Sequence, residues 1–356
     1  MSSERFGGTV PLGRRAPFDV ERLERYLRAH LDEFEGRLTI EQFRGGQSNP
    51  TFLIRLDDRP RLVLRKKPAG ALLPSAHAVD REYRVMSALG EAGVPVPRMR
   101  HLCEDPGVIG TVFFVMDFVG GRSFWDPGLS GMEPAERARV YDEMNRVMAA
   151  IHALDPGAVG LADFGRSGNY FERQIARWSK QYRASETEPI PAMDRLIEWL
   201  PAHVPADDPT TLVHGDYRLD NLIFHPTQPR VLAVLDWELS TLGSPVADFA
   251  YHVMGWRMPV GELGGLRGLD LSALGIPDEP AYVASYCRRT GRDAIDPQLW
   301  EYAMAYNLFR IACIRQGIRK RVLDGTATSA HAAEVGARAR STAEQAWQLV
   351  EERLLA

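Results

Sequence analysis

Asp216 and Asn221 stand five residues apart in Val213-His214-Gly215-Asp216-Tyr217-Arg218-Leu219-Asp220-Asn221-Leu222, a polar loop between apolar runs. Fifteen residues after Asn221 comes Val234-Leu235-Asp236-Trp237-Glu238, with a second carboxylate at the end of an apolar run. This set suits phosphoryl transfer. One carboxylate must orient an attacking hydroxyl and receive its proton, while an amide oxygen and another carboxylate hold Mg²⁺ against the phosphates. Such a transfer depends on positioning and electrostatics more than on covalent chemistry by the protein. Taken singly, Asp and Asn in loops are turn formers; the combination and its spacing carry the chemical reading.

The pattern His-Gly-Asp-x-x-x-x-Asn, followed by an Asp-Trp-Glu strand end, resembles the aminoglycoside phosphotransferase family within the protein-kinase-like fold. His-Gly-Asp stands where protein kinases have His-Arg-Asp, and Asp-Trp-Glu where they have Asp-Phe-Gly. The resemblance implies ATP and Mg²⁺ as cofactors, Asp216 as catalytic base, Asn221 as a metal ligand and Asp236 as the main metal ligand. His214 is expected to support the loop by hydrogen bonding. Asp220 reads as solvent-facing or a local cap, and Asp248 as a structural residue capping a helix and bracing the loops.

The same resemblance assigns roles upstream. Gly45, Gly46, Gln47, Ser48 and Asn49 form a Gly-Gly turn between two strand-like runs, able to lay backbone N–H groups over nucleotide phosphates, or simply to close a hairpin. In Leu62-Val63-Leu64-Arg65-Lys66-Lys67, strand alternation puts Arg65 on the face opposite Leu62 and Leu64. Arg65, with Lys66 as alternative, is the candidate contact to the α- and β-phosphates, an arginine where the family has lysine. Its ion-pair partner is expected to be Glu82. Backbone groups from Asp117 through Phe118 to Val119 are expected to face an adenine. Asp163-Phe164-Gly165 spells the protein-kinase metal motif, but it precedes the catalytic loop and follows no apolar strand, so it reads as a loop coincidence.

Narrower stretches, Leu72 to Val85 and Asp236 to Gly243, resemble the kinase-like domain fused to, or encoded beside, acyl-CoA dehydrogenases. That implies ATP-dependent phosphorylation of a hydroxyl on a hydroxyacyl-CoA, with a CoA ester as small-molecule acceptor and a functional link to an acyl-CoA dehydrogenase. An aminoglycoside or amino-sugar kinase, and a catalytically silent nucleotide-binding module, stand as alternatives. The acceptor region is expected around Trp256, Arg257, Tyr302, Tyr306, Asn307 and Arg310, though a packing or surface role is the better account of each taken singly. Arginines after Val253, among them Arg288, Arg289, Arg310, Arg315 and Arg319, mildly favour an anionic acceptor such as a CoA ester, with a run of solvated helix faces an at least equally good account.

The elements that must position these groups are readable from periodicity. Val20, Leu23, Leu27 and Leu31 recur at helical spacing, and strand-like runs at 39–43, 51–56 and 62–65 are followed by a helix over 80–91. The run 111–119 is β-rich and ends at Gly120-Gly121. Beyond it the pattern is mostly helical, broken by short β-like runs near 211–213, 222–224 and 231–235. The expectation is an α+β, bilobal protein-kinase-like fold, with residues 1–119 as the nucleotide-binding lobe and 120–356 as the catalytic and acceptor-binding helical lobe. The 356 residues carry 43 Lys and Arg against 47 Asp and Glu, a formal charge of −4, which disfavours a nucleic-acid partner. Three widely spaced cysteines without a CxxC pair fit a reducing compartment. No apolar run approaches the ~20 residues of a membrane span, and the N-terminal stretch lacks a secretory apolar region, so a cytoplasmic location is expected.

Overall fold

The computed structural model describes residues 8–13, 17–32, 34–44, 49–68, 78–206, 209–262, 264–327, 329 and 331–355. Gly45, Gly46, Gln47 and Ser48 therefore lie outside the described residues, as does all of the stretch 72–77.

The N-terminal region runs β1 (Thr9–Pro11), α1 (Val20–His30), β2 (Leu38–Phe43), β3 (Thr51–Leu56), β4 (Arg59–Lys66), α2 (Val79–Glu91), β5 (Met99–Cys103) and β6 (Phe113–Asp117). The six strands form one antiparallel sheet in the order β1-β2-β3-β4-β6-β5. β1 and β5 were not evident from the sequence, because neither short segment alternates apolar and polar residues. The alternation along β4 sorts its side chains as expected. Leu62 and Leu64 join the apolar layer under α1, with Phe18, Leu23, Leu27 and Phe52. Val63, two residues before Arg65 and on the same face, packs with Val79, Val85, Met86 and Leu89 of α2. That second layer continues into the C-terminal region, so a single apolar core joins the inner face of the sheet to the helices beyond it.

The C-terminal region contains α3 (Pro134–His152), α4 (Tyr170–Ser185), α5 (Pro191–Ala202), β7 (Thr211–Val213), β8 (Leu222–Phe224), β9 (Val231–Val234), β10 (Thr241–Gly243), α6 (Pro245–Val253), α7 (Leu271–Leu274), α8 (Glu279–Thr290), α9 (Pro297–Leu323), α10 (Ala332–Ala337) and α11 (Ala339–Arg353). β7 pairs with β10 and β8 with β9, so the two loops holding Asp216 and Asp236 each spring from a two-stranded ribbon. Among the described residues no helix is long and apolar enough to cross a membrane.

Candidate active site

β7 delivers His214-Gly215-Asp216 into a tightly bonded turn. Buried Asp248 accepts the backbone N–H groups of His214 at 2.7 Å and Gly215 at 2.8 Å. His152 contacts the same carboxylate at 3.1 Å. These bonds hold the Asp248 carboxyl below its ordinary range although burial acts to raise it. Asp248 thus braces the loop, but the cap of α6 is Ser244, whose hydroxyl accepts from Ala247 N. Gly215 has φ +83°, and a Cβ there would lie 2.8 Å from Leu239 O, so this turn requires glycine. His214 is fully buried. Its Nδ1 accepts from Asp216 N at 3.1 Å, which leaves Nε2–H to donate to Leu235 O at 2.9 Å. With Leu235 N donating to Asn221 O at 2.8 Å, this ties the Asp216 loop to the Asp236 loop.

The Asp216 carboxylate accepts from Tyr251 Oη at 2.6 Å and from Asn221 Nδ2 at 3.2 Å, and Arg218 Nε stands 3.4 Å from it. Burial, then the charge of Asp216, pushes the Tyr251 hydroxyl well above its ordinary range, so it stays a donor. Arg218 also pairs with Asp220 at 2.7 Å. Burial works against the Arg218 charge, and Asp216 and Asp220 more than offset it. Asp220 is therefore a half-buried ion-pair partner with a carboxyl raised by burial, not a solvent-facing residue.

Asp236 follows β9 in the left-handed region, φ +67° and ψ +57°, a conformation that costs a non-glycine residue about 1 kcal/mol. Its carboxylate lies 2.7 Å from Arg65 Nη2. Arg65 Nε stands 2.8 Å from Glu82 Oε2, and Nη2 stands 3.4 Å from Glu238 Oε2. Asn49 Nδ2 donates to the same Glu238 oxygen at 3.3 Å. Burial opposes the Arg65 charge, but Glu82, Asp236 and Glu238 together raise its pKa. Glu82 is buried at 2% exposure, and desolvation raises its carboxyl to about 7 against the pull of Arg65. The structure thus gathers Glu82, Asp236 and Glu238 around the Arg65 guanidinium, with Asn49 bonded to Glu238.

Lys66 is not part of that group. It sits on the opposite face of β4, buried, with Nζ donating to Lys67 O at 3.3 Å and its pKa lowered by burial. Strand alternation is the reason. The hinge expectation is narrowed too. Asp117 N–H donates to Arg98 O and Phe118 N–H to Arg61 O, both at 2.9 Å, as sheet bonds. Neither is available to a base, and Val119 is left as the amide donor of the three. Asp163 stays clear of the metal site, exposed and paired with Arg84.

Arg218, Tyr251 and Glu238 escaped the sequence reading as site residues. The signals were positional for two of them, Arg218 two residues after Asp216 and Glu238 two after Asp236 within Asp-Trp-Glu; Tyr251 gave none, because its partner Asp216 lies on another element. Arg218, Asp220 and Tyr251 also line a pocket of about 100 Å³, walled by Phe124, Trp125, Tyr141, Met144 and Trp256. Of the expected acceptor residues only Trp256 lines it. Tyr302, Tyr306, Asn307 and Arg310 are buried on α9, where Arg310 donates to Gly215 O at 2.7 Å. Much of the arginine run after Val253 is paired with acids: Arg257 with Glu279 and Glu301, Arg289 with Asp142, Arg315 with Glu262 and Arg319 with Glu188, while Arg288 donates to Ser285 Oγ.

A small antiparallel sheet over a helical lobe, with an Asp–Asn pair and a strand-end Asp in the cleft between them, defines a protein-kinase-like phosphotransferase architecture. The chain belongs to the phosphotransferase enzyme family (APH), whose model matches residues 39–298. It is 50% identical over 342 residues to acyl-CoA dehydrogenase family member 10 of Mus musculus, covering 95% of this chain and 32% of that protein. It is 43% identical to family member 11 of Rattus norvegicus, covering 90% of this chain and 42% of that protein. The chain thus spans less than half the length of these relatives. Among solved structures, a protein of Ralstonia eutropha JMP134 provisionally described as an aminoglycoside phosphotransferase superposes with a TM-score of 0.86 at 55% identity. It covers 94% of this chain and 99% of that one. A choline kinase from Cryptosporidium parvum shares the fold, with a TM-score of 0.64 at 13% identity, covering 94% of this chain and 96% of that one.

Proposed function

We propose that the chain is an ATP- and Mg²⁺-dependent small-molecule kinase that moves the γ-phosphoryl group to an alcohol, with a hydroxyacyl-CoA as favoured acceptor. The observation that carries this reading is the convergence of Asp216, Asn221 and Asp236 on loops tied by the Leu235–Asn221 and His214–Leu235 bonds. Residues up to 119 would hold the nucleotide, and residues 120–356 would supply catalysis and the acceptor pocket.

The donor set fits a hard divalent cation. Asn221 uses Nδ2 on Asp216, which leaves its Oδ1, and Arg65 engages Oδ1 of Asp236, which leaves Oδ2. Two protein oxygens together with phosphate oxygens and water is the pattern Mg²⁺ takes. When bound, it supplies charge neutralisation at the phosphates. Asp216, held by Tyr251, Asn221 and Arg218, accepts the hydroxyl proton as that oxygen bonds to the γ-phosphorus and the bond to the β-phosphate oxygen breaks. Arg65 would approach the α- and β-phosphates, steadied by Glu82.

The acceptor pocket has aromatic walls, and its carboxylate, Asp220, is matched by Arg218. A polycationic aminoglycoside would find no unmatched acid among those lining residues, which favours an acceptor with an apolar portion. The CoA part of the reading, like a working link to an acyl-CoA dehydrogenase, is supported by the names of the relatives. Three buried free cysteines support a reducing compartment such as the cytoplasm. The test is a phosphate-transfer screen across hydroxyacyl-CoAs, aminoglycosides and amino sugars, read by mass spectrometry. A phosphorylated hydroxyacyl-CoA is expected. Transfer confined to aminoglycosides overturns the acceptor assignment, and none at all favours a silent nucleotide-binding module.

A further inference from the structure

The Asp163-Phe164-Gly165 loop binds no metal in this reading, yet it touches both halves of the network around Arg65. On one side is α2, which carries Glu82. Arg81 Nη2 donates to Phe164 O at 2.6 Å, and its guanidinium lies 4.1 Å over the Phe164 ring. Arg84 Nη2 donates to Gly160 O at 2.8 Å and pairs with Asp163. Arg81 and Arg84 are three residues apart and share the outer face of the helix, while Glu82, Val85, Met86 and Leu89 are buried. On the other side is β10, the strand after Asp236. A Cβ on Gly165 would lie 2.5 Å from Thr241 Oγ1 and 2.7 Å from Leu242 N, so the loop rests directly on that strand. The Phe164 ring is buried at 1% exposure, which anchors the loop to the common core.

A helix that points a buried carboxylate at Arg65 carries a desolvation cost that favours moving away from the cleft. Contacts on its other face offset that tendency. Beyond the far end of α2, Val234 N donates to Pro95 O at 2.8 Å, which fixes the segment that follows the helix. The 160–165 loop does the same for its first turns.

We propose that the 160–165 loop is a clamp that holds α2 against the cleft, so that Glu82 keeps Arg65 aimed at the nucleotide phosphates. Arg81, Arg84 and Phe164 are then positioning residues for nucleotide binding. This rests on the phosphotransferase reading, since it needs a nucleotide in the cleft.

The test is calorimetric affinity for Mg·ADP on the full chain. Arg81→Ala combined with Arg84→Ala is expected to weaken Mg·ADP roughly tenfold through the lost cation–π and charged hydrogen bonds. The exposed, conservative Asp163→Asn is expected to weaken it by roughly threefold or less and keeps the fold intact. Because the clamp acts through Glu82, the loss should vanish in a Glu82→Gln background. Equal losses in both backgrounds, or unchanged affinity in the arginine variants, overturn the clamp alone. Wild-type protein that binds no Mg·ADP overturns the phosphotransferase reading and the clamp with it.

Discussion

Arg65 Nη2 stands 2.7 Å from Asp236 Oδ1, so the cation suited to the nucleotide phosphates neutralises the carboxylate suited to the metal. On the proposed function, Asp236 would hold Mg²⁺ and Arg65 would hold phosphate, so that one ion pair would be exchanged for two and no buried charge would be left unmatched. Asp236→Ala should therefore abolish the metal-dependent part of the thermal shift given by Mg·ATP, while a metal-independent part persists through the released Arg65. An unchanged metal-dependent shift in the variant would remove Asp236 from the metal site.

Asp216→Asn keeps the size of the side chain and removes the proton acceptor. Mg·ATP binding should persist while turnover falls about 10²–10⁴-fold. Tyr251→Phe removes the 2.6 Å bond to Asp216 and should lower kcat by up to about tenfold without changing nucleotide affinity. Retained turnover in Asp216→Asn would refute the base assignment.

Glu82 sets a pH dependence of opposite sign for stability and for binding. Its carboxyl is raised by burial to about 7 from an ordinary 4.5. Between those values the folded chain holds a proton the unfolded chain has lost, so this stabilisation is full below about 4.5 and is lost as pH rises through 7. Nucleotide binding needs the ionised form to hold Arg65. Mg·ADP affinity should fall as pH is lowered through 7 in the wild type and be flat in Glu82→Gln. A flat wild-type profile would break the link between Glu82 and the nucleotide.

Asp248 is predicted to matter for folding. Asp248→Ala strips partners from the His214 and Gly215 N–H groups and from His152, at a cost of about 3 kcal/mol. The urea midpoint should drop accordingly, and an unchanged midpoint would contradict its bracing role.

His252 is buried, and burial lowers its pKa to about 4 from an ordinary 6.5. The unfolded chain protonates first, so this contribution is intact above 6.5 and is lost as pH falls toward 4. Urea midpoints between pH 6.5 and 4.5, compared in the Glu82→Gln background that removes the opposing titration, should fall for His252 and be flatter in His252→Gln. Parallel profiles would exclude His252 as the titrating group.

What the amino-acid order determined by itself was local. The spacing of Asp216, Asn221 and Asp236 named the chemistry, because a loop of fixed length between short strands leaves few places for three oxygen donors. The period-two alternation of Leu62, Val63, Leu64 and Arg65 chose Arg65 over Lys66, because a strand sends neighbours to opposite faces. Only the tertiary structure could decide which charges neutralise one another. Arg65 with Glu82 and Asp236, and the arginines after Val253 against acids as far away as Asp142 and Glu188, are pairings across elements that no spacing encodes. The same holds for Asp163-Phe164-Gly165. In sequence it was a motif in the wrong place; its contacts with α2 and β10 arise because a shared apolar core brings the sheet and the helices together. Hydrophobic burial, which is non-directional, decides those encounters, and the polar contacts are what the chain forms once it is there.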